Sequence, residues 1–251
     1  MSILSLIVML SSLLFIVIES KTSPNIVFVL VDDTGYNDVG FTNANDPNKN
    51  YVVKTPALDR LARNGLILEN YYAQPICTPT RAALMTGRYP FRYGVTGFTI
   101  SAEAPWGIPL NETFLPEVLV NHKTGFFGKH HLGFFRKELL PSQRGFQYTS
   151  GLYNAKGDHF NHTLGGGYDW HTNDVTNTSV DGTYSGEIVR DDVVKFLENT
   201  STDEPFYVQI SFQEAHSPFQ APQSYMNMYG NFFFLFLLCE LEHDVNPSRS
   251  N

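Results

Sequence analysis

Apolar and polar positions alternate in blocks along the 251 residues, and the block lengths predict strands and helices in turn. Asn25 to Val31 is a continuous β-rich apolar run that predicts a strand buried on both faces of a parallel sheet, ending in Asp32-Asp33. Thr55-Pro56 places a cap residue and an N1 proline before Ala57, Leu58, Leu61 and Ala62, which recur at helical spacing until Asn64-Gly65 stops them. Leu66 to Tyr72 can return as a strand, and Leu115 to about His122 reads as a further helix. Gly125 to Phe127 is a short strand candidate. The Gly-, Asn-, Asp- and Thr-rich stretch from Asn154 to Thr183 predicts a long surface loop. Tyr184 to Leu197 carries Ile188, Val189, Val193, Phe196 and Leu197 on one helical face, and Phe206 to Phe212 follows as a strand. Strands alternating with helices predict an α/β fold: a mostly parallel, mixed sheet sandwiched by helices.

Two ends of the chain break the pattern. Ile3 to Ile18 is apolar apart from three serines and precedes Glu19-Ser20-Lys21, which predicts a secretory signal peptide over residues 1–20, with a signal anchor as the rival reading. Phe232 to Leu238 is seven bulky apolar residues in a 231–251 tail that fits neither the preceding pattern nor a membrane span. Four sequons, at Asn111, Asn161, Asn177 and Asn199, agree with export and N-glycosylation. The expected compartment is therefore the secretory pathway, with a lysosomal or extracellular destination.

Charge and cysteine count narrow the chemistry. Lys plus Arg total 17 against 25 Asp plus Glu, a net charge of −8, which argues against nucleic acid as a partner. Two cysteines, Cys77 and Cys239, exclude a disulfide scaffold or a Cys-based zinc cluster. Cys77-Thr78-Pro79-Thr80-Arg81 begins a helix-forming stretch that runs to Thr86-Gly87-Arg88. A helix N-terminus with a cysteine and a nearby guanidinium suits a bound anion. An isolated cysteine there is otherwise a buried structural residue. Lys129 and His131 flank His130 in Gly128-Lys129-His130-His131-Leu132-Gly133, and an extended backbone would project the pair to one side. His216 follows the last predicted strand, and ligand sites gather at such strand ends.

These segments together resemble the type I sulfatases of the alkaline-phosphatase-like superfamily. Cys77-x-Pro79-x-Arg81 with Thr86-Gly87-Arg88 is similar to the family signature, and the 128–133 segment is similar to its Gly-Lys-Trp-His-Leu-Gly, with His130 in place of tryptophan. The resemblance implies a sulfatase catalytic domain over residues 21–230. It implies that a formylglycine-generating enzyme converts Cys77 to Cα-formylglycine, the nucleophile once hydrated. It further implies that Asp32, Asp33 and the modified Cys77 ligate a calcium ion. Arg81 would hold the nucleophile, Lys129 the sulfate oxygens, His131 would act as a base, and His216 would assist the leaving group. The segments around Trp106, Phe135 and Arg144-Gly145-Phe146 resemble arylsulfatase B-like enzymes, which implies N-acetylgalactosamine 4-sulfate or aryl sulfate esters as substrates.

The sequence also departs from that family. Leu119 to Thr124 lacks the family's Gly-Tyr, and no Asp-Asn pair or lysine follows His216. An incomplete domain of impaired activity is the resulting expectation. A secreted non-catalytic protein that binds sulfated glycans through Arg81, Lys129 and His216 is the alternative. A phosphodiesterase of the same superfamily is disfavoured by Cys77, where those enzymes use Ser or Thr.

Overall fold

The computed structural model describes residues 23–43 and 53–229. The signal peptide reading over residues 1–20, the 231–251 tail and Cys239 lie outside the described residues.

Six strands form one sheet in the order β1-β8-β2-β3-β6-β7. They are β1 (Ile26–Val31), β2 (Lys123–Gly128), β3 (Tyr148–Gly151), β6 (His171–Thr172), β7 (Val175–Thr176) and β8 (Phe206–Phe212). The first four in that order run parallel, while β6 joins β3 and β7 joins β6 antiparallel. A separate hairpin pairs β4 (Thr163–Leu164) with β5 (Gly167–Tyr168). The helices are α1 (Gly40–Asn43), α2 (Pro56–Asn64), α3 (Cys77–Thr86), α4 (Leu115–Val118), α5 (Ser185–Glu198) and α6 (Gln223–Tyr229). The mixed α/β sheet expected from the alternation is thus present.

Strand pleating sends neighbouring side chains to opposite faces, and the two cores follow from it. Phe126 and Tyr207 join Ala82 and Met85 of α3 on one face, with Phe114 and Phe146. Phe127 and Val208 join Ile188, Val189, Val193 and Phe196 of α5 on the other. Each of these large side chains is worth about 1.5–3 kcal/mol when taken from water. The helix of residues 185–198 therefore uses the apolar stripe its spacing predicts.

Several local expectations are corrected. β1 is not buried on both faces: Val27, Val29 and Val31 are 54%, 49% and 40% exposed. Only Ile26 and Phe28 pack on a core, because α5 lies over β2, β3 and β8 rather than β1. Leu66 to Tyr72 forms no strand, and Leu66 and Tyr72 stand exposed with no partner strand among the described residues. The helix expected to reach His122 ends at Val118, with Leu119 leaving helical geometry and the chain turning straight into β2. The 154–183 stretch is not a plain surface loop. It holds the four short strands β4 to β7 and buries His159, His162, Asp169 and Trp170, the last inside the α5 core. Thr55 precedes α2 as expected, but its hydroxyl bonds the Asp59 side chain and the Gly40 amide instead of capping α2 amides.

Register sets what emerges at the sheet's carboxyl rim. Val31 lies opposite Phe212, and Gly128 opposite Ser211. Asp32, Lys129 and Gln213 therefore leave three adjacent strands at the same end, where open parallel sheets carry their ligand sites. Backbone hydrogen bonds pin this rim: Asp32 N donates to Glu214 O at 3.0 Å, Ala215 N to Asp32 O at 2.8 Å, and Lys129 N to Ser211 O at 2.8 Å.

Candidate active site

The first turn of α3 faces this rim. Cys77 is its first residue, Ile76 precedes it in extended geometry, and Gly87 ends it in the left-handed region at φ 64°. Thr78 fixes the turn from beneath, donating to His131 O at 3.2 Å and accepting from Ile100 N at 3.2 Å. The Cys77 Sγ then lies 3.7 Å from Asp32 Oδ1 and 3.5 Å from Lys129 Nζ. Cys77 is partly exposed and is a free thiol, so it is not the buried structural cysteine that stood as the alternative.

Asp32 is the hub. Its Oδ2 takes a charge-assisted hydrogen bond from Lys129 Nζ, and its Oδ1 sits 3.2 Å from Arg81 Nη2. The Arg81 contact is an ion pair without hydrogen-bond alignment, and Arg81 Nη1 is spent on Lys129 O at 2.7 Å. Burial pushes the Asp32 carboxyl up, but Arg81 and Lys129 outweigh it and hold the group below the usual carboxylate range. Burial pulls Arg81 below its ordinary value, opposed by Asp32, and a guanidinium remains charged regardless. Asp33 sits at the rim, its side chain 59% exposed, with Oδ2 3.8 Å from His216 Nε2. His216 offers a ring nitrogen, Asp32 an oxygen and Cys77 its sulfur, all within 4.8 Å of one another.

His131 is placed differently from the expectation. Its backbone is left-handed at φ 55°, and its Nε2 meets Ile100 O at 2.9 Å. A carbonyl only accepts, so Nε2 carries the proton and Nδ1 is the free base, buried with no partner. Burial, then Lys129, lowers this ring to about 3. No hydrogen bond among the described residues joins His131 to Cys77, although Lys129, Arg81 and Asp32 are within electrostatic reach. Lys129 and His131 therefore do not lie on an extended strand, since β2 ends at Gly128 and His131 is itself left-handed, although Lys129 remains within electrostatic reach of His131.

The structure thus brings Cys77, Asp32, Arg81, Lys129 and His216 together, with Asp33 at the rim and His131 alongside. Thr78 and the Ser211 carbonyl were missed from sequence, since a threonine and a backbone oxygen carry no readable signal. The donors that converge within 4.8 Å among the described residues are Asp32, Cys77 and His216, with the exposed Asp33 carboxylate next to His216. Asp32 and Asp33 fit a hard divalent cation as carboxylate donors, but they fill only part of the roughly six to eight oxygen positions such an ion takes. In charge terms the two carboxylates balance Arg81 and Lys129, so the site can take a cation together with anionic ligands.

A mixed, largely parallel sheet with the first turn of a helix carrying Cys77 over its carboxyl rim defines the class: an α/β fold with its charged side chains gathered at that rim. The chain matches the Sulfatase family over residues 24–234 and belongs to that family. Among curated relatives it is 37% identical over 216 residues to Arylsulfatase J of Mus musculus, covering 83% of this chain and 35% of that protein. It is 36% identical over 162 residues to N-acetylgalactosamine-6-sulfatase of Mus musculus, covering 60% of this chain and 29% of that protein. Among solved structures, Ps i-CgsB in complex with k-i-k-neocarrahexaose superposes with a TM-score of 0.72 at 28% identity, covering 83% of this chain and 49% of that one. The chain therefore spans between 29% and 49% of the length of these proteins.

Proposed function

We propose that this chain carries the nucleophile half of a sulfuric ester hydrolase and that Cys77, matured to formylglycine by a formylglycine-generating enzyme, is its reacting residue. The observation that carries the reading is the position of Cys77 Sγ, 3.5 Å from Lys129 Nζ and 3.7 Å from Asp32 Oδ1 at a helix N-terminus. A thiol needs no such company to be stable. An ionised oxygen nucleophile does.

Arg81 and Lys129 supply fixed positive charge beside position 77, and they favour its ionised form and the oxygens of a sulfate group. Both are nearly or fully buried, at 3% and 0% side-chain exposure, so little water screens them. Asp32 orients the pair and stays ionised. His131 Nδ1 is unprotonated and within electrostatic reach of Lys129, Arg81 and Asp32, which makes it the candidate proton acceptor for position 77. His216, whose Nδ1 lies 2.7 Å from Ser217 O, keeps Nε2 turned to the site and suits a leaving oxygen. Asp32 and Asp33 with position 77 would hold a calcium ion, which supplies Lewis-acid polarisation of the ester.

The substrate class we assign is a sulfated glycan or an aryl sulfate, with N-acetylgalactosamine sulfate esters favoured by the relatives. We place the protein in the secretory pathway, lysosomal or extracellular, with glycans at Asn111, Asn161, Asn177 and Asn199. Among the described residues no helix is long and apolar enough to cross a membrane.

Co-expression with the formylglycine-generating enzyme, followed by assay on 4-nitrocatechol sulfate with calcium, tests the reading. The expected outcome is turnover that Cys77→Ala lowers by at least about a hundredfold. Glycan binding without turnover would instead favour the non-catalytic alternative.

A further inference from the structure

A cleft of about 360 Å³ opens against Ser217, the neighbour of His216, and the proposed hydrolysis leaves it without a role. It lies between Lys156, Asp158, the β4–β5 hairpin around Gly165, and Ser217-Pro218. Lys156 is the cationic residue of its lining, half-buried, with Nζ 3.3 Å from Ser217 Oγ. No carboxylate among the described residues comes within ion-pair distance of that ammonium. Asp158 shares the cleft and keeps its negative charge, but its carboxylate is turned to three donors outside it. Its Oδ1 accepts from the Phe160 and Asn161 amides at 2.9 and 2.7 Å, and its Oδ2 from Gln220 Nε2 at 2.7 Å. On the hairpin side, Gly165 and Gly166 have positive φ and open space where a Cβ would stand, so the mouth is unobstructed.

The cleft adjoins His216. Ser217 Oγ lies 3.4 Å from His216 Nδ1, and a His216 ring nitrogen lies within 4.8 Å of Cys77 Sγ. Ser217 therefore sets the cleft next to His216, on the side where His216 would meet the leaving oxygen, while Lys156 itself stays outside the reacting cluster. An ammonium with donors left over, in a half-buried cleft, is a site for an anionic group.

We infer that this cleft binds an acidic substituent of a sulfated glycan, a carboxylate or a second sulfate on the leaving-group side, with Lys156 as the specificity-determining contact. The inference rests on reading the Cys77 centre as a sulfate-ester site. It also separates substrates: an aryl sulfate leaves the cleft empty, whereas a glycan of acidic sugars fills it.

The test is binding of a chondroitin sulfate tetrasaccharide by calorimetry, in a Cys77→Ala background so that the esters stay intact. Lys156→Met keeps the methylene stem and removes the charge. It should weaken binding about three- to fivefold, the range of a partly solvated ion pair, while Lys156→Arg keeps most of the affinity. The loss should vanish with a carboxyl-reduced probe if the carboxylate is the group held. If a second sulfate is held, it should vanish only after that sulfate is also removed. Unchanged affinity in Lys156→Met, no binding by the parent, or a loss that persists on a probe lacking both acidic groups would overturn the inference. In protein that retains Cys77, turnover of 4-nitrocatechol sulfate should be the same with and without the Lys156→Met substitution. A parallel loss there would mark a structural effect and overturn it too. Absent aryl sulfate turnover alongside an intact Lys156 effect would sink the catalytic reading and spare the cleft.

Discussion

Two adjacent histidines do opposite kinds of work at the rim. His131 spends one nitrogen on Ile100 O and keeps the other free beside Lys129 and Arg81. His130 buries both nitrogens without a partner, its ring edge-on to Phe126 and Tyr153. Burial, then Arg81 and Arg144, lowers His130 to about 3, and burial lowers His131 equally far. An unfolded chain titrates its histidines near 6.5. Between these values the unfolded state binds more protons than the folded one, so stability is complete above about pH 6.5 and falls as pH drops towards 3. Each ring should cost on the order of 2 kcal/mol between pH 7 and pH 5. Asp32 and Asp169, both held low, contribute stability that is lost only below the carboxylate range, so they do not blur this window. Thermal melts should therefore show a lower Tm at pH 5 than at pH 7, and His130→Phe should remove on the order of 2 kcal/mol of that difference, His131 and His162 keeping their share. A melt insensitive to pH across this interval would contradict the neutral, buried assignment.

At the scale of elements, β8 decides the site because it aligns the ends of β1 and β2 on its two sides. Gly128 makes that alignment possible. Its φ is +103°, and a Cβ there would stand 2.0 Å from Ser211 O, backbone of the neighbouring strand. Gly128→Ala should destabilise the domain by about 3 kcal/mol or more and move Lys129 away from Asp32. Chemical denaturation measures the first effect. β1, β8 and α5 were legible because apolar period and length agree in Asn25–Val31, Phe206–Phe212 and Tyr184–Leu197. The strands β3 to β7 were not, because Thr, Ser and Gly pair there through backbone geometry and through Asp169, which accepts from the Tyr153 and Asn154 amides. The one-turn α4 was over-read since its apolar spacing continues past Leu119 although its hydrogen bonds do not. The site was legible as residue types at strand ends. The left-handed turn at His131 was not, since no glycine marks it.

Across the whole molecule, two cores hold the rim rigid while one face of β1 stays exposed at Val27, Val29 and Val31. The chain spans 35% of Arylsulfatase J and 49% of Ps i-CgsB, and the candidate site is the part that these residues build. That part has a definite chemistry: two buried cations and a carboxylate converge on the side chain of residue 77. The decisive experiment is the mass of the proteolytic peptide containing Cys77, taken from protein that has passed through the secretory pathway. An aldehyde in place of the thiol, trapped by a hydrazine reagent, is the expected outcome. A peptide carrying only unmodified cysteine would refute the formylglycine nucleophile.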